Sequence, residues 1–276
     1  LLDFTDVLSS CVEKELSPKL EVMFVDEAQD LSPLQWQLVS VLAQNSERVY
    51  IAGDDDQAIF RWAGADVDHL VSISQGNARV LDQSYRIPSS VHEIADRVIR
   101  RVKTRTNKTW KPRREKGQVI SEASFEHVDL LSGEWLILSR SNYLLNEIVA
   151  HCRSVGVYFE RKENPSISEK KIDAVKNWEQ LRKGHSLYPE QAVSAVSYIK
   201  DSKKKVLEDT PQNEKLTLAE VLQKASIGDP LIWHDMFDAI SPAERSYILS
   251  MLRRGEKITK TPRVKLSTIH SAKGGE

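Results

Sequence analysis

Two short apolar runs, each closed by acidic residues, constrain this chain more than any other feature. Val22-Met23-Phe24-Val25 leads straight into Asp26-Glu27, and Val49-Tyr50-Ile51-Ala52 leads into Gly53-Asp54-Asp55-Asp56-Gln57. Continuous apolar runs of this length suit strands buried on both faces, as in parallel sheets. Between them, Pro33 to Gln44 reads as a helix with proline at its start. Strand, helix and strand joined by short connections predict a parallel α/β sheet. In such a sheet, ligands gather beyond the carboxyl ends of the strands, where both acidic turns stand.

The alternation continues on both sides. Leu2 to Leu16 carries apolar residues at helical spacing. Ala78 to Leu81 predicts a third strand, and Ser89 to Arg101 a helix capped by Ser89 or Ser90. Arg97 to Lys116 is dominated by arginine and lysine, contains Trp110 and Pro112, and reads as a connection leaving the first sheet. Trp135 to Leu138 opens a second α/β unit, followed by a helix from Tyr143 to Ser154 and a strand at Val157-Tyr158-Phe159. From about Lys162 to Lys260 the chain turns charged and helical, and strand character returns at Val264 to Ser267. The simplest reading is a second α/β domain interrupted by a helical insertion, with Trp178 and Trp233 in its core.

Composition excludes several classes. The formal net charge is -1, so any nucleic-acid surface must be local. The two cysteines, Cys11 and Cys152, lack CxxC spacing, which rules out a disulfide or zinc framework and fits a reducing cytosol. No apolar run approaches the roughly 20 residues of a membrane span, and no signal peptide is visible. The opening Leu1-Leu2-Asp3-Phe4 and the closing Lys273-Gly274-Gly275-Glu276 predict cuts through a larger protein.

The acid-tipped strands carry the candidate chemistry. Of two adjacent carboxylates, Asp26 and Glu27, one can hold Mg²⁺ and the other can orient or deprotonate a water, a pairing suited to phosphoryl transfer. Asp54, Asp55 and Asp56 repel one another unless a cation or donors lie nearby. Gln57 both donates and accepts, so it can touch a terminal phosphate and the attacking water together. Phe60 and Trp62 either stack on bases or pack inward. Tyr85-Arg86 pairs a flat ring with a guanidinium able to stabilise a transferring phosphoryl group. The basic stretch around Trp110 and Lys111 is either a nucleic-acid backbone track or a solvated helix face.

These pieces occur in a recognisable order. Val25-Asp26-Glu27-Ala28-Gln29-Asp30 resembles the Walker B motif of UvrD/Rep-like superfamily 1 DNA helicases. The run Gly53 to Ala65 resembles their third motif, Leu81 to Arg86 their fourth and Leu266 to Glu276 their fifth. Leu2 to Leu8 resembles the segment that precedes their Walker B strand. The resemblance implies an α/β fold of the P-loop NTPase helicase class, with two RecA-like domains, ATP between them and single-stranded DNA across their top. Residues 1–100 would complete the first RecA-like domain and 101–160 would begin the second. Residues 161–260 would form the accessory insertion, and 261–276 would return to the second domain.

By the same resemblance, Asp26 coordinates Mg²⁺, Glu27 activates water, Gln57 senses the γ-phosphate and Arg86 contacts it. Tyr85 packs on the adenine, and Glu276 meets the ribose. Phe60 and Trp62 stack on bases, while Thr268 and His270 line the DNA and coupling face. Single-stranded DNA and duplex junctions are the implied partners, in DNA replication or repair, in the cytoplasm of a bacterium or of a phage host. The pattern departs from the family at Ala63, where arginine is frequent, and at Gly275, where leucine is usual. GxxxxGK[ST] and the family's final motif are missing from these 276 residues, so this stretch alone is expected not to hydrolyse ATP. Two alternatives stand beside a motor: a non-catalytic helicase-derived DNA-binding protein, and the motor part of a helicase–nuclease.

Overall fold

A computed structural model describes residues 3–76, 78–256, 258 and 261–275. The chain divides into two compact units, Leu1–Ser121 and Glu122–Glu276.

In the first unit, helix α1 (Phe4–Glu13) starts in a capping box, in which the Asp3 and Asp6 carboxylates each accept the other's backbone N–H. It is shorter than the expected Leu2–Leu16, because Glu15 turns into the left-handed region (φ 50°). Strand β1 (Leu20–Val25), helix α2 (Pro33–Ala43) and strand β2 (Ser46–Ile51) follow. Ser32 and Gln35 form a second capping box that starts α2, with Pro33 at its first position, where a missing N–H costs nothing. β1 and β2 pair in parallel, with Met23 beside Val49 and Val25 beside Ile51. On one face the rings of Phe24 and Tyr50 stack at 5.2 Å and remain largely exposed. A small core of Ala28, Trp36 and Leu70 gathers Val25, Leu31 and Val39 around it.

The pairing runs past the strand ends. Ala52 N–H donates to Val25 O (2.7 Å) and Ala28 N–H donates to Ala52 O (3.0 Å). The two acidic turns therefore leave the sheet side by side. Helices α3 (Val67–Ile73) and α4 (Ser89–Ile99) complete the unit.

Three expectations are corrected here. β1 and β2 are strands as expected but are not buried on both faces: Met23 is buried, while the described residues leave Phe24, Val49, Tyr50 and Ile51 exposed. Residues 78–81 form no strand: the nearest pairing is an isolated bridge between Gln83 and Lys111, and Val80 and Leu81 stay exposed. An apolar run becomes a strand only where a neighbour satisfies its backbone groups, and none of the described residues does so. The cap of α4 is not a serine. Pro88 occupies the N-cap position, and the Ser89 and Ser90 N–H groups donate to the carbonyls of Glu115 and Lys116. That return of residues 111–117 onto α4 explains why the unit ends after Ser121 rather than near residue 100.

The second unit is built on β3 (Trp135–Ser139), helix α5 (Leu145–Val155), β4 (Phe159–Arg161) and β5 (Asn164–Pro165). Helices α6 (Glu169–Arg182), α7 (Pro189–Val196), α8 (Lys205–Glu208), α9 (Leu218–Ala225), α10 (Trp233–Met236) and α11 (Pro242–Arg253) come next, then β6 (Val264–Thr268) and α12 (Ile269–Ala272). The sheet order is β3-β6-β4-β5, with β6 parallel to both neighbours. A tight turn through Lys162 and Glu163, both at positive φ, closes the β4–β5 hairpin. Val157 and Tyr158 precede β4 rather than belonging to it, but both are buried.

One hydrophobic core spans this unit. Phe159, Val264 and Leu266 of the sheet share it with Trp178, Leu181, Phe237 and Met251 of the helices. The helical residues 169–253 thus build on the sheet's own core, and Trp178 and Trp233 are buried in it, as the sequence predicts. Gly156 ends α5 at positive φ, where a β-carbon would come within 2.9 Å of the Ser250 carbonyl carbon. The observed class is mixed α/β with parallel strands. Among the described residues, no helix is long and apolar enough to cross a membrane, and no cluster of three or more His, Cys, Asp or Glu could hold a metal ion.

Candidate nucleotide site

The site begins at the end of β1. Asp26 is exposed, and one of its carboxylate oxygens accepts the Glu27 N–H (2.8 Å). Glu27 holds a left-handed conformation (φ 51°), which costs a residue bearing a β-carbon roughly 1–2 kcal/mol. The 3-10 turn Ala28–Asp30 closes behind it, with Asp30 N–H on Glu27 O (2.9 Å).

Gln29 then joins the two acidic turns. It is fully buried; its amide nitrogen donates to the Glu27 carboxylate, and its amide oxygen accepts the Asp54 N–H (2.8 Å). Asp54 in turn accepts a hydrogen bond from the Gln57 side-chain amide (2.8 Å). A continuous bonded path therefore runs Glu27–Gln29–Asp54–Gln57, linking the candidate base to the candidate phosphate sensor.

The three adjacent aspartates find their cations within the chain. Lys108 Nζ lies 2.8 Å from Asp54, bonds Asp55, and is 3.5 Å from Asp56. Arg105 grips Asp56 with two bonds of 2.8 and 2.7 Å. The Thr106 N–H donates to Asp55 (2.6 Å). Burial by itself would raise the Asp54 carboxyl, but the hydrogen bonds from Lys108 and Gln57 outweigh it and hold the group below the usual carboxylate range. Burial likewise would lower the Lys108 ammonium, and the bonds to Asp54 and Asp55 raise it instead.

The other predicted residues of this unit stand in the segments that follow. Trp62 is 75% exposed in a 3-10 turn, Arg61–Ala63, while Phe60 before it is half-buried. Arg61 pairs with Asp68 (2.9 Å). Tyr85 is 86% exposed and Arg86 is exposed, in a turn pinned by Ser84 Oγ, which accepts the N–H groups of Arg86 and Ile87. Trp110 packs edge-on against His92, with ring centres 4.1 Å apart. Lys111 pairs with Asp82 (2.8 Å) at the surface.

Thr268 and His270 lie together at the end of β6 in the second unit. The Thr268 hydroxyl is buried and caps α12, accepting the Ser271 N–H (3.1 Å). Glu276 lies outside the described residues.

The chemistry suits a magnesium nucleotide. Asp26 offers hard carboxylate oxygen at an exposed strand end, as Mg²⁺ prefers, and Mg²⁺ commonly needs only one or two protein carboxylates beside phosphate oxygens. Sequence reasoning had missed Gln29, Arg105 and Lys108 as parts of this arrangement. The crowding of Asp54, Asp55 and Asp56 signalled that a cation was required, but not which of the chain's 39 lysines and arginines supplies it.

Comparisons with known proteins point to the same family. Residues 1–77 match the UvrD/REP helicase N-terminal domain. The chain is 31% identical over 133 residues to the ATP-dependent DNA helicase PcrA of Bacillus subtilis (strain 168), covering 44% of this chain and 18% of that protein. It is 27% identical over 174 residues to PcrA of Staphylococcus epidermidis, covering 58% of this chain and 22% of that protein. A PcrA of Staphylococcus aureus is 30% identical over 112 residues, 36% of this chain and 15% of that protein. The chain thus spans about a fifth of the length of these relatives.

Proposed function

Taking as premise that the chain is related to the UvrD-like superfamily 1 helicases, we propose that it forms part of a motor coupling ATP hydrolysis to movement along single-stranded DNA and to strand separation at duplex junctions. The observation that carries this reading is the bonded path from Glu27 through Gln29 and Asp54 to Gln57, with exposed Trp62 in the turn that follows. It connects a group suited to activating water with a group suited to sensing phosphate, and an aromatic suited to stacking on a base follows in the next turn.

In this reading, the first unit supplies part of one RecA-like domain, the strands of the second unit belong to another, and α6 to α11 are its accessory insertion. Asp26 would hold Mg²⁺, which when bound neutralises charge on the phosphates. Glu27 orients the attacking water and takes its proton. Gln57 donates to the terminal phosphate, and Arg86 stabilises charge there. Tyr85 gives the adenine a flat face, and Glu276 meets the ribose. Phe60 and Trp62 stack on bases, Lys111 beside Trp110 exchanges its surface carboxylate for a DNA phosphate, and Thr268 with His270 lines the DNA side. The work would be done in the cytoplasm of a bacterium or phage host, during DNA replication or repair.

Because these 276 residues contain no GxxxxGK[ST], the stretch alone is proposed not to hydrolyse ATP. The test is single-stranded-DNA-stimulated ATPase activity of the chain expressed with its neighbouring coding sequence, beside Glu27→Gln. Strong stimulation that the substitution abolishes supports the motor. A folded, DNA-binding protein that hydrolyses nothing would leave a helicase-derived binding module instead.

A further inference from the structure

We propose that Lys108 is a positioning residue for Gln57, and that the segment 105–113 is a strap holding the Asp54–Gln57 turn and the Gln83–Ile87 turn at a fixed distance from each other. The proposal rests on the reading that Gln57 meets a terminal phosphate. The segment's basic residues suggested a DNA track; Lys111 remains at the surface, but Arg105 and Lys108 turn inward to the aspartates, and backbone groups of Lys111 and Arg113 bond the second turn.

At one end, each of the three aspartates has a partner on the strap: Lys108 for Asp54 and Asp55, Thr106 N–H for Asp55, and Arg105 for Asp56. At the other end, Ser84 N–H donates to Lys111 O (2.8 Å) and Arg113 N–H donates to Ile87 O (2.9 Å), flanking Tyr85 and Arg86. Only three residue steps separate Lys108 from Lys111, at most about 10 Å of chain. The turn bearing the candidate sensor and the turn bearing the candidate arginine are therefore tied by a short tether.

The chemistry of the tether is informative. The side chains of Lys108, Asp55 and Asp56 are 13%, 6% and 11% exposed. Taking such charges out of water is costly, and apolar residues of similar volume often stabilise at least as well. What the charged version adds is geometry and exchangeability. Asp54 divides its carboxylate between Lys108 and the Gln57 amide. While Gln57 donates to Asp54, that donor is not on a phosphate. With Lys108 in place, Asp54 keeps a counter-charge when Gln57 lets go, so the exchange of partners is inexpensive. Without Lys108, Asp54 would hold Gln57 back.

The experiment compares Lys108→Met, Lys108→Arg and Asp54→Asn in the ATPase-competent protein that carries this chain. Lys108→Met should lower kcat by about tenfold with KM for ATP within about twofold, as expected when a reacting group is misplaced rather than removed. Lys108→Arg should restore most of the loss. The Lys108→Met/Asp54→Asn double variant should be no slower than Lys108→Met alone, because both act through one path. In the 276-residue chain itself, amide exchange at Asp55 to Ala58 should rise in Lys108→Met and return in Lys108→Arg.

Unchanged kcat, an effect on KM alone, or a loss that arginine does not rescue would overturn the proposal. If Lys108→Met fails to fold, Lys108→Gln, which keeps a hydrogen-bond donor but not the charge, carries the comparison; unchanged kcat there overturns the proposal equally. Glu27→Gln run in parallel separates the two levels. If it abolishes hydrolysis while Lys108→Met does not affect it, the strap fails and the motor reading stands. If Glu27→Gln is fully active, the motor reading fails and the strap falls with it.

Discussion

Gly53 backs directly onto Gln29: a β-carbon at position 53 would lie 2.9 Å from the Gln29 amide oxygen and 2.9 Å from Leu70 Cδ2. The same oxygen accepts the Asp54 N–H, so the close approach and the bond that joins the two acidic turns depend on one another. Gly53→Ala must displace the amide or the backbone. The expected cost is about 1–3 kcal/mol, the range for overpacking a filled site. Amide exchange at Ala28 and Asp54 should accelerate while the second unit is unaffected. Unchanged protection at both amides would show that Gln29 is not the joint.

The Asp54 carboxyl is held below its usual range in the folded state, so its contribution to stability has a definite sign. It is present above the unfolded carboxyl value, about 3.9, and is lost as pH falls through the lower folded value. Urea midpoints of the first unit should therefore drop on acidification below about pH 4. Lys108→Met, which removes the main partner, should flatten that drop. A pH profile identical in both proteins would contradict the assignment.

Trp62 and Lys111 make separable predictions for single-stranded DNA. Trp62→Ala should weaken binding by ~1–3 kcal/mol, the worth of a stacked base, and leave the salt dependence alone. Lys111→Ala should reduce the slope of log affinity against log salt by about 0.7, the value for one phosphate contact on a single strand. Titrations at several salt concentrations measure both. An altered slope in Trp62→Ala with unchanged affinity would reverse the roles.

The two thiols should differ sharply in reactivity. Cys152 is fully buried in the second unit, and burial pushes its thiol up to about 11, whereas Cys11 on α1 is half-exposed. The thiolate is the reactive form. Native protein at pH 8 treated with iodoacetamide should label at Cys11, and Cys152 should label only after urea is added. Mass spectrometry of the digested product reads both sites. Equal labelling without urea would mean that the core around Cys152 opens readily.

Local signals carried far in this chain. Apolar runs ending in acids marked β1 and β2, and Pro33 after Ser32 marked the start of α2, because strand propensity and helix capping depend on near neighbours; the burial on both faces that the runs implied did not follow, because covering a strand takes distant segments. The second unit's strands at Trp135 and Val264 and its buried tryptophans were legible for the same reason. Asp26, Glu27, Gln57, Tyr85 and Arg86 were named as candidates from motif order and the family resemblance, and their roles remain proposals. The third strand failed because 78–81 has apolar character but no partner among the described residues, and pairing is a property of two segments.

What the sequence by itself determined is therefore the inventory: the parallel α/β character, the acidic turns and the residue types able to act on a phosphate. Tertiary structure decided the wiring. That Gln29 joins Glu27 to Asp54, that Lys108 and Arg105 rather than other basic residues neutralise Asp54 to Asp56, and that 111–117 folds back on α4 all depend on separations of some 25 to 50 residues. Charge and hydrogen-bonding capacity are written in composition, but a hydrogen bond needs a donor within about 3 Å of its acceptor, and only the folded chain sets that distance.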